Sequence, residues 1–456
     1  MIVAGADLFR LNFAHATIVE HAETVERIRA ASEAVGREVG ILQDVPGPKL
    51  RLGPVENGVC DLHVGSRVVL TPGTVTGNSE RLPVEWHGLA EIVEPGDVAY
   101  LADGAIRLRV KEVSEDEVVT AVEVGGSVAS RQGINLPDLT VPLPAVSEED
   151  LERVDAGVRM GVDVIALSFV RRREDLDPVR ERLSHYPYGH DVPLVAKIEK
   201  PQAAANATEI VDAADGIMVA RGDLGIELPI EEVPLVQKSL IRLAGQRSKP
   251  SITATQMLES MVNSTRPTRA EVADVANAII DGTDAVMLSQ ETAVGRYPVE
   301  AVAMMAAIAR ATERGLPDDC WLEERGSKGV DDSATIASLA VQAASQLDVK
   351  AIVSPTLSGR SARLISGYRP HVPILALCGT TPVVRRCSLY WGVRGELFEE
   401  PPDTVDLLDA CGEAANRLGF AEAGDKIAVT VGVPTLRSGG TNLLKVHEVP
   451  DVIRAA

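Results

Sequence analysis

Lys197 and Glu199 stand two residues apart in the apolar run Pro193 to Glu199 (PLVAKIE), and on a strand their side chains would share one face. The next run, Gly216 to Ala220 (GIMVA), leads into Arg221-Gly222-Asp223-Leu224-Gly225. Neighbouring strands lie about 4.8 Å apart, so Glu199 and Asp223, ending consecutive strands, suit one shared hard cation. Magnesium fits best, with few protein carboxylates and with water and substrate phosphate completing the octahedron. A lysine beside such a metal and facing a phosphate is an arrangement for phosphoryl transfer, which depends on positioning and charge neutralisation. Other strand ends add Arg221, Thr255, Arg10 with Asn12, and Asp44, with Lys49 and Arg51 following closely, so that a cationic set accompanies the acidic pair. Singly, each charge fits a solvated or salt-bridged strand end. Together they gather positive charge around an acidic pair. The glycines flanking Asp223 offer backbone amides to an anion, which is weak evidence alone.

The elements that must position these residues alternate. Seven short runs read as strands: Leu8 to Asn12, Val39 to Asp44, Val162 to Ser168, Pro193 to Glu199, Gly216 to Ala220, Pro250 to Ala254 and Ala285 to Ser289. Most of the segments between them have helical periodicity, as in Ala22 to Val35 and Glu300 to Arg314. Alternation of strand and helix predicts a parallel sheet. The last five runs recur about every 22 to 35 residues, which suits a (β/α)8 barrel with active residues at the C-terminal strand ends. Closure needs eight strands, and seven are legible. From Arg51 to about Asn135 the pattern becomes turn-rich with short alternating strands, predicting an inserted all-β domain. Ser147 with Asp150 has capping-box form where the chain returns to the barrel. After about Gly329, a helix over Asp332 to Leu347 and strands in AIVSP, VPILALC, KIAVTVGV and NLLKVHEV predict a separate α/β domain.

Composition limits the function. The 456 residues predict two to four domains at roughly 150 residues each. Hydrophobic residues at 45% supply a core, and aromatic residues at 3% make it aliphatic. The net charge of −21 argues against nucleic-acid and anionic-membrane binding, so an anionic substrate needs a local island of positive charge. Cys60, Cys320, Cys378, Cys387 and Cys411 show no metal spacing and read as indifferent thiols of a reducing cytoplasm. No run reaches the ~18 apolar residues of a membrane span, and the N-terminus lacks a secretory leader.

The chain resembles the pyruvate kinase family nearly from end to end. The likeness is carried by FRLNFAHA (9–16), GPKLR (47–51), SRQGINLP (130–137), LPAVSEED (143–150), SFVRRREDL (168–176), KIEKPQA (197–203), DGIMVARGDLGIELP (215–229), ATQMLESM (254–261), RPTRAEVADVANAIIDGTDAVML (266–288) and TNLLKVHEV (441–449). It implies a TIM (β/α)8-type barrel, here lacking its first β/α unit, an inserted small β-barrel lid domain and a C-terminal α/β regulatory domain. The expected bounds are 1–47 and 140–329 for the barrel, 48–139 for the lid and 330–456 for the C-terminal domain. The implied reaction transfers the phosphoryl group of phosphoenolpyruvate to ADP, in glycolysis, with Mg2+ or Mn2+. By motif match, Lys197 would stabilise the phosphoryl group, Glu199 and Asp223 would hold the metal, and Gly222 and Thr255 would contact substrate, with Thr255 where the enolate is protonated. Arg10 would bind the transferred phosphate and Arg51 the nucleotide phosphates. A cytoplasmic homo-oligomer, a homotetramer in relatives, is also implied. The other readings are a catalytically impaired paralogue with a regulatory or partner-binding role, and a barrel enzyme using a pyruvate enolate in another reaction.

The departures carry expectations of their own. The family's monovalent-cation positions read Asn12, Ala14, Asp44 and Val45, so two oxygen ligands are gone, and Lys49 stands where potassium-dependent relatives have Glu. A fixed ammonium there predicts independence from potassium. Gln132 stands where relatives often have a nucleotide-contacting Lys, and Gln290 replaces a Gly near the last strand's exit. Thr356, Ser358, Gly359, Arg360 and Ser361 precede a helix and form a candidate phosphate cradle; the family resemblance implies a sugar-phosphate or nucleotide effector there, with Thr435 to Thr441 as a closing loop. A simple helix cap is the alternative.

Overall fold

The computed structural model describes residues 1–48, 50–73, 75–102, 104–137, 144–316, 331–401, 403–433 and 440–451. Seven parallel strands form one sheet in chain order: β1 (Leu8–Asn12), β2 (Gly40–Val45), β3 (Val164–Leu167), β4 (Leu194–Ile198), β5 (Gly216–Ala220), β6 (Ser251–Ala254) and β7 (Ala285–Val286). The expected count of seven holds among the described residues, and β1 and β7 are the two ends of the sheet. The expected last strand, Ala285 to Ser289, is shorter: only its first two residues pair, with Ile252 and Thr253.

Strands β2 to β6 are buried on both faces because each face has its own apolar layer. Ile41, Ile165, Leu167, Ala196, Ile217 and Val219 pack outward on helix residues such as Val154, Val179, Ile210 and Leu240. Leu42, Val164, Ala166, Val195, Met218, Ile252 and Ala254 form the inner layer. Local signals start the helices. Asp150 N donates to Ser147 Oγ at 3.1 Å and Ser147 N donates to Asp150 Oδ2 at 3.1 Å, the expected capping box of the helix Glu148–Met160. Thr17 and Thr268 cap Ile18–Val35 and Arg269–Ile280 in the same way.

The chain leaves the barrel after β2 and builds a six-stranded sheet of Ile134–Asn135, Val98–Leu101, Ile106–Val113, Val118–Val124, Arg67–Pro72 and Arg81–Val84, in that spatial order, with its own aliphatic core. Farther on, β8 (Ile352–Thr356), β9 (Ile374–Cys378), β10 (Val393–Leu397), β11 (Lys426–Val431) and β12 (Leu443–Glu448) form a sheet ordered β10-β9-β8-β11-β12, with only β12 antiparallel. Strand β10 has no counterpart in the sequence reading. It is a partly exposed edge strand, VRGEL, whose charges suit an edge but leave no apolar run to read. Among the described residues, Cys378, Cys387 and Cys411 are buried and Cys60 is half-buried, all as free thiols.

The α/β region plugs the barrel. Leu389, just past the helix Thr381–Cys387, is 2% exposed and joins the inner layer of Leu42, Val164, Val195, Met218 and Ile252, with Tyr390 packed against it. Arg369 anchors the same junction, donating to Asp284 Oδ1 at 2.9 Å and to the Gly282 carbonyl at 2.8 Å. Leu389→Ala is expected to destabilise the protein by about 2–5 kcal/mol, the cost of a cavity in a core. The midpoint of urea unfolding measures it, and an unchanged midpoint would show that Leu389 does not support the barrel interior.

Candidate active site

Alternation along the strands decides which side chains meet. Leu8 packs on the inner layer formed by Leu42, Ala166 and Val195, so Arg10, Asp44, Ser168 and Lys197, each two residues on, follow on the same face at the C-terminal end. Lys197 Nζ donates to Ser168 Oγ at 2.7 Å and lies 3.1 Å from Asp44 Oδ1 and 2.8 Å from Glu199 Oε1. Arg10 donates to Asp44 Oδ2 through Nε at 2.7 Å and approaches it through Nη2 at 2.6 Å. Glu199 Oε2 accepts from the Phe169 amide at 3.0 Å.

These charges are almost wholly withdrawn from water: Lys197 is 8% exposed, Asp44 1% and Glu199 2%. Burial by itself would drive the Lys197 pKa down, but Asp44 and Glu199 outweigh it and hold the ammonium above the ordinary lysine range. Burial likewise works to raise Asp44, and Lys197 and Arg10 overcome it and hold the carboxyl below its usual value. Lys197 is therefore a fixed cation rather than a proton shuttle at neutral pH.

Thr255 and Gln256 both have left-handed backbones, with φ of 73° and 53°. For a β-branched residue this is strained and is a common mark of a functional turn. The Gly222 amide donates to Thr255 Oγ1 at 2.7 Å, and Thr255 Oγ1 donates to the Ala254 carbonyl at 2.6 Å. Arg221 does not join the cationic set expected from its strand-end position. Its guanidinium donates to Asp274 Oδ1 at 2.6 Å and to the Thr255 carbonyl at 2.8 Å, fixing the bend.

The strand-neighbour picture of the acidic pair needs correction. Glu199 follows β4 directly, whereas Asp223 lies in the first turn of the helix Arg221–Glu227, three residues beyond β5. Helix position, not strand spacing, sets their separation. No group of three or more His, Cys, Asp or Glu side chains gathers around a metal position among the described residues. Two carboxylates remain a fitting donor set for a hard cation that keeps water and substrate oxygens.

Arg51 lies at the inserted domain, bridged to Gly133, with Nη1 donating to the Arg131 carbonyl at 3.2 Å. Gln132 accepts from the Ala129 amide at 2.9 Å. Lys49 lies outside the described residues, as does most of the loop from Thr435. Gln290 is exposed at the start of the short helix Gln290–Ala293, and nothing in the structure explains it. In the distal cradle, Gly359 is left-handed at φ 82° before the helix Arg360–Gly367, and its amide donates to Thr356 Oγ1 at 3.0 Å. Ser361 Oγ meets Thr441 Oγ1 at 2.5 Å, and Arg360 pairs with Asp331. Ser358 is exposed at the bend before Gly359. Ser168 and Phe169 escaped the sequence reading as site residues. Both open the quoted segment SFVRRREDL, but neither was given a role, and the left-handed backbone of Phe169, φ 58°, had no signal.

A parallel-stranded barrel with a buried lysine held among carboxylates at its C-terminal ends defines a barrel enzyme built on fixed charge. The chain belongs to the pyruvate kinase family: the family's barrel domain matches residues 1–302 and its alpha/beta domain residues 334–447. It is 44% identical to the pyruvate kinase of Geobacillus stearothermophilus over 99% of this chain and 78% of that one. It is 41% identical to that of Thermococcus litoralis over 99% of this chain and 94% of that one. The crystal structure of a pyruvate kinase from Cryptosporidium parvum superposes with a TM-score of 0.92 at 34% identity, covering 98% of this chain and 92% of that chain. The chain is accordingly a phosphotransferase with the family's activity, converting phosphoenolpyruvate and ADP to pyruvate and ATP. The family is generally magnesium-dependent.

The directions of the two shifts set a pH dependence. A depressed Asp44 contributes stability above its unfolded pKa of about 3.9 and loses it as pH falls through the lower folded value. A raised Lys197 contributes below about 10.4 and loses it as pH rises through its folded value. Asp44→Asn is expected to cost about 3–5 kcal/mol, the cost of leaving buried charge uncompensated. In chemical denaturation across pH the deficit should be flat from about pH 5 to 9 and shrink below about pH 4. A deficit that changes between pH 5 and 9 would contradict the fixed-charge reading.

Proposed function

We propose that Lys197 neutralises the transferring phosphoryl group while Arg10 binds the phosphate of phosphoenolpyruvate and Arg51 the phosphates of ADP. The observation that carries this reading is the placement of the buried Lys197 ammonium between Asp44, Ser168 and Glu199, whose carboxylates favour its charged form. Loss of the phosphoryl group leaves a pyruvate enolate, and protonation at carbon then gives pyruvate. Mg2+ or Mn2+ held by Glu199 and Asp223 would supply Lewis-acid charge for that enolate. Thr255 serves the proton-delivery side, with the Gly222 amide orienting its hydroxyl. Lys197→Met is expected to lower kcat about a thousandfold or more, as removal of a charge from a phosphoryl-transfer site does. A coupled pyruvate assay reads the outcome, and unchanged turnover removes Lys197 from the mechanism.

Turnover without potassium is part of the same proposal. The Asp44 carboxylate is engaged by two cations, Arg10 and Lys197, and Asn12 Oδ1 accepts from the Ala14 amide at 3.1 Å. Val45 and Ala14 bring no side-chain oxygen, and Lys49 would supply the fixed positive charge. Phosphotransfer in sodium- and potassium-free buffer should match the rate with potassium chloride added. Strong activation by potassium would overturn this.

The cradle of Thr356, Ser358, Gly359, Arg360 and Ser361 is the proposed site for a sugar-phosphate or nucleotide effector, supported by its left-handed glycine and hydroxyl cluster. The domain bounds 1–47 with 140–329, 48–139 and 330–456, a homo-oligomeric state and a cytoplasmic location complete the proposal. Among the described residues, no helix is long and apolar enough to cross a membrane.

A further inference from the structure

The helix Arg221–Glu227 carries Asp223 and Glu227 four residues apart, one turn apart on one face. Glu227 is 5% exposed, so its charge requires a partner. Two groups converge on its Oε1: the Nζ of Lys200, which pairs with it, and Asn135 Nδ2, which donates at 3.1 Å. Lys200 is the residue after Glu199, and its Nζ lies 5.8 Å from the centre of the Phe169 ring. Phe169 is the residue whose amide holds Glu199. Asn135 comes from the edge of the inserted sheet, is 3% exposed, and has a buried Oδ1 with no partner. One carboxylate thus joins three bodies: the helix bearing Asp223, the strand end bearing Glu199, and the inserted domain.

We infer that Glu227 is a positioning residue: through Lys200 it sets the separation of Glu199 and Asp223, and through Asn135 it registers the inserted domain over them. The inference rests on the reading of Glu199 and Asp223 as the cation pair. Without Glu227, Lys200 has no carboxylate to hold it away from Glu199, and the helix loses its tie to the end of β4. Asn135 acts only on the inserted domain.

The test uses the full chain and Mn2+ alone, with free Mn2+ followed by electron spin resonance in the absence of substrates. Glu227→Gln keeps the shape and an acceptor for Asn135 but removes the ion pair. It is expected to weaken Mn2+ binding about tenfold or more, as loss of groups that orient metal ligands does. The double variant Glu227→Gln/Lys200→Gln, with a neutral hydrogen bond in place of the ion pair, should recover most of that affinity. Asn135→Ala should leave Mn2+ binding at the wild-type value, speed amide exchange in Val98–Leu101 and Ile106–Val113, and raise KM for ADP more than KM for phosphoenolpyruvate. Wild-type Mn2+ affinity in Glu227→Gln, or a lowered melting temperature as its sole defect, overturns the first half of the inference. Unchanged amide exchange in Asn135→Ala overturns the second. Failure of the wild-type protein to bind Mn2+ overturns the carboxylate-pair reading itself, and this inference with it.

Discussion

The contact between Lys197 and Asp44, deep in the C-terminal mouth of the barrel, constrains everything around it. An ammonium and a carboxylate can share a dry site only if their geometry repays the loss of water. Here Arg10 and Ser168 complete the satisfaction of the pair, and Glu199 adds a second carboxylate to the lysine. These partners come from β1, β2, the ends of β3 and β4, and the turn after each. The strands must therefore hold their register for the charges to balance.

The inner layer explains how that register is kept. From Leu8 and Leu42 around to Ile252, the side chains below the charged ring are aliphatic, and their lowest contact is Leu389 from the α/β region. The charged ring therefore rests on an apolar column contributed by two parts of the chain. Arg369, buried against Asp284 and the Gly282 carbonyl, ties the same two parts together at the far end. Asp284 also accepts from the Ser251 amide at 2.9 Å, so the junction reaches the start of β6, the strand that leads to Thr255.

The net charge of −21 describes the exterior. Three cations near the barrel mouth are matched: Lys197 with Asp44 and Glu199, Arg221 with Asp274, and Lys200 with Glu227. At Lys197 the positive charge is held at a fixed position among carboxylates. That is a preorganised electrostatic site, whose dipoles need little rearrangement when charge moves. The strained backbones at Phe169, Thr255 and Gln256 lie at the same mouth, where surrounding structure over-determines them.

Much of this was legible in the sequence because the signals were local. Period-two alternation put Lys197 and Glu199 on one face, strand-helix alternation indicated a parallel sheet, and Ser147 with Asp150 announced a helix start that formed as read. The motifs around Lys197, Asp223 and Thr255 carried the family. Three things depended on residues far apart in the chain, and only the tertiary structure decided them. Arg221 turned to Asp274 instead of joining the substrate cations, because the left-handed bend at Thr255 presents its carbonyl to that guanidinium. Asp223 belongs to a helix turn rather than a strand end, so strand spacing does not set its distance from Glu199. Leu389, nearly two hundred residues beyond Lys197, became part of the barrel interior. Composition and periodicity report how a segment buries its own faces. Which distant side chain neutralises a buried charge is settled only when folding removes the water that would otherwise have solvated it.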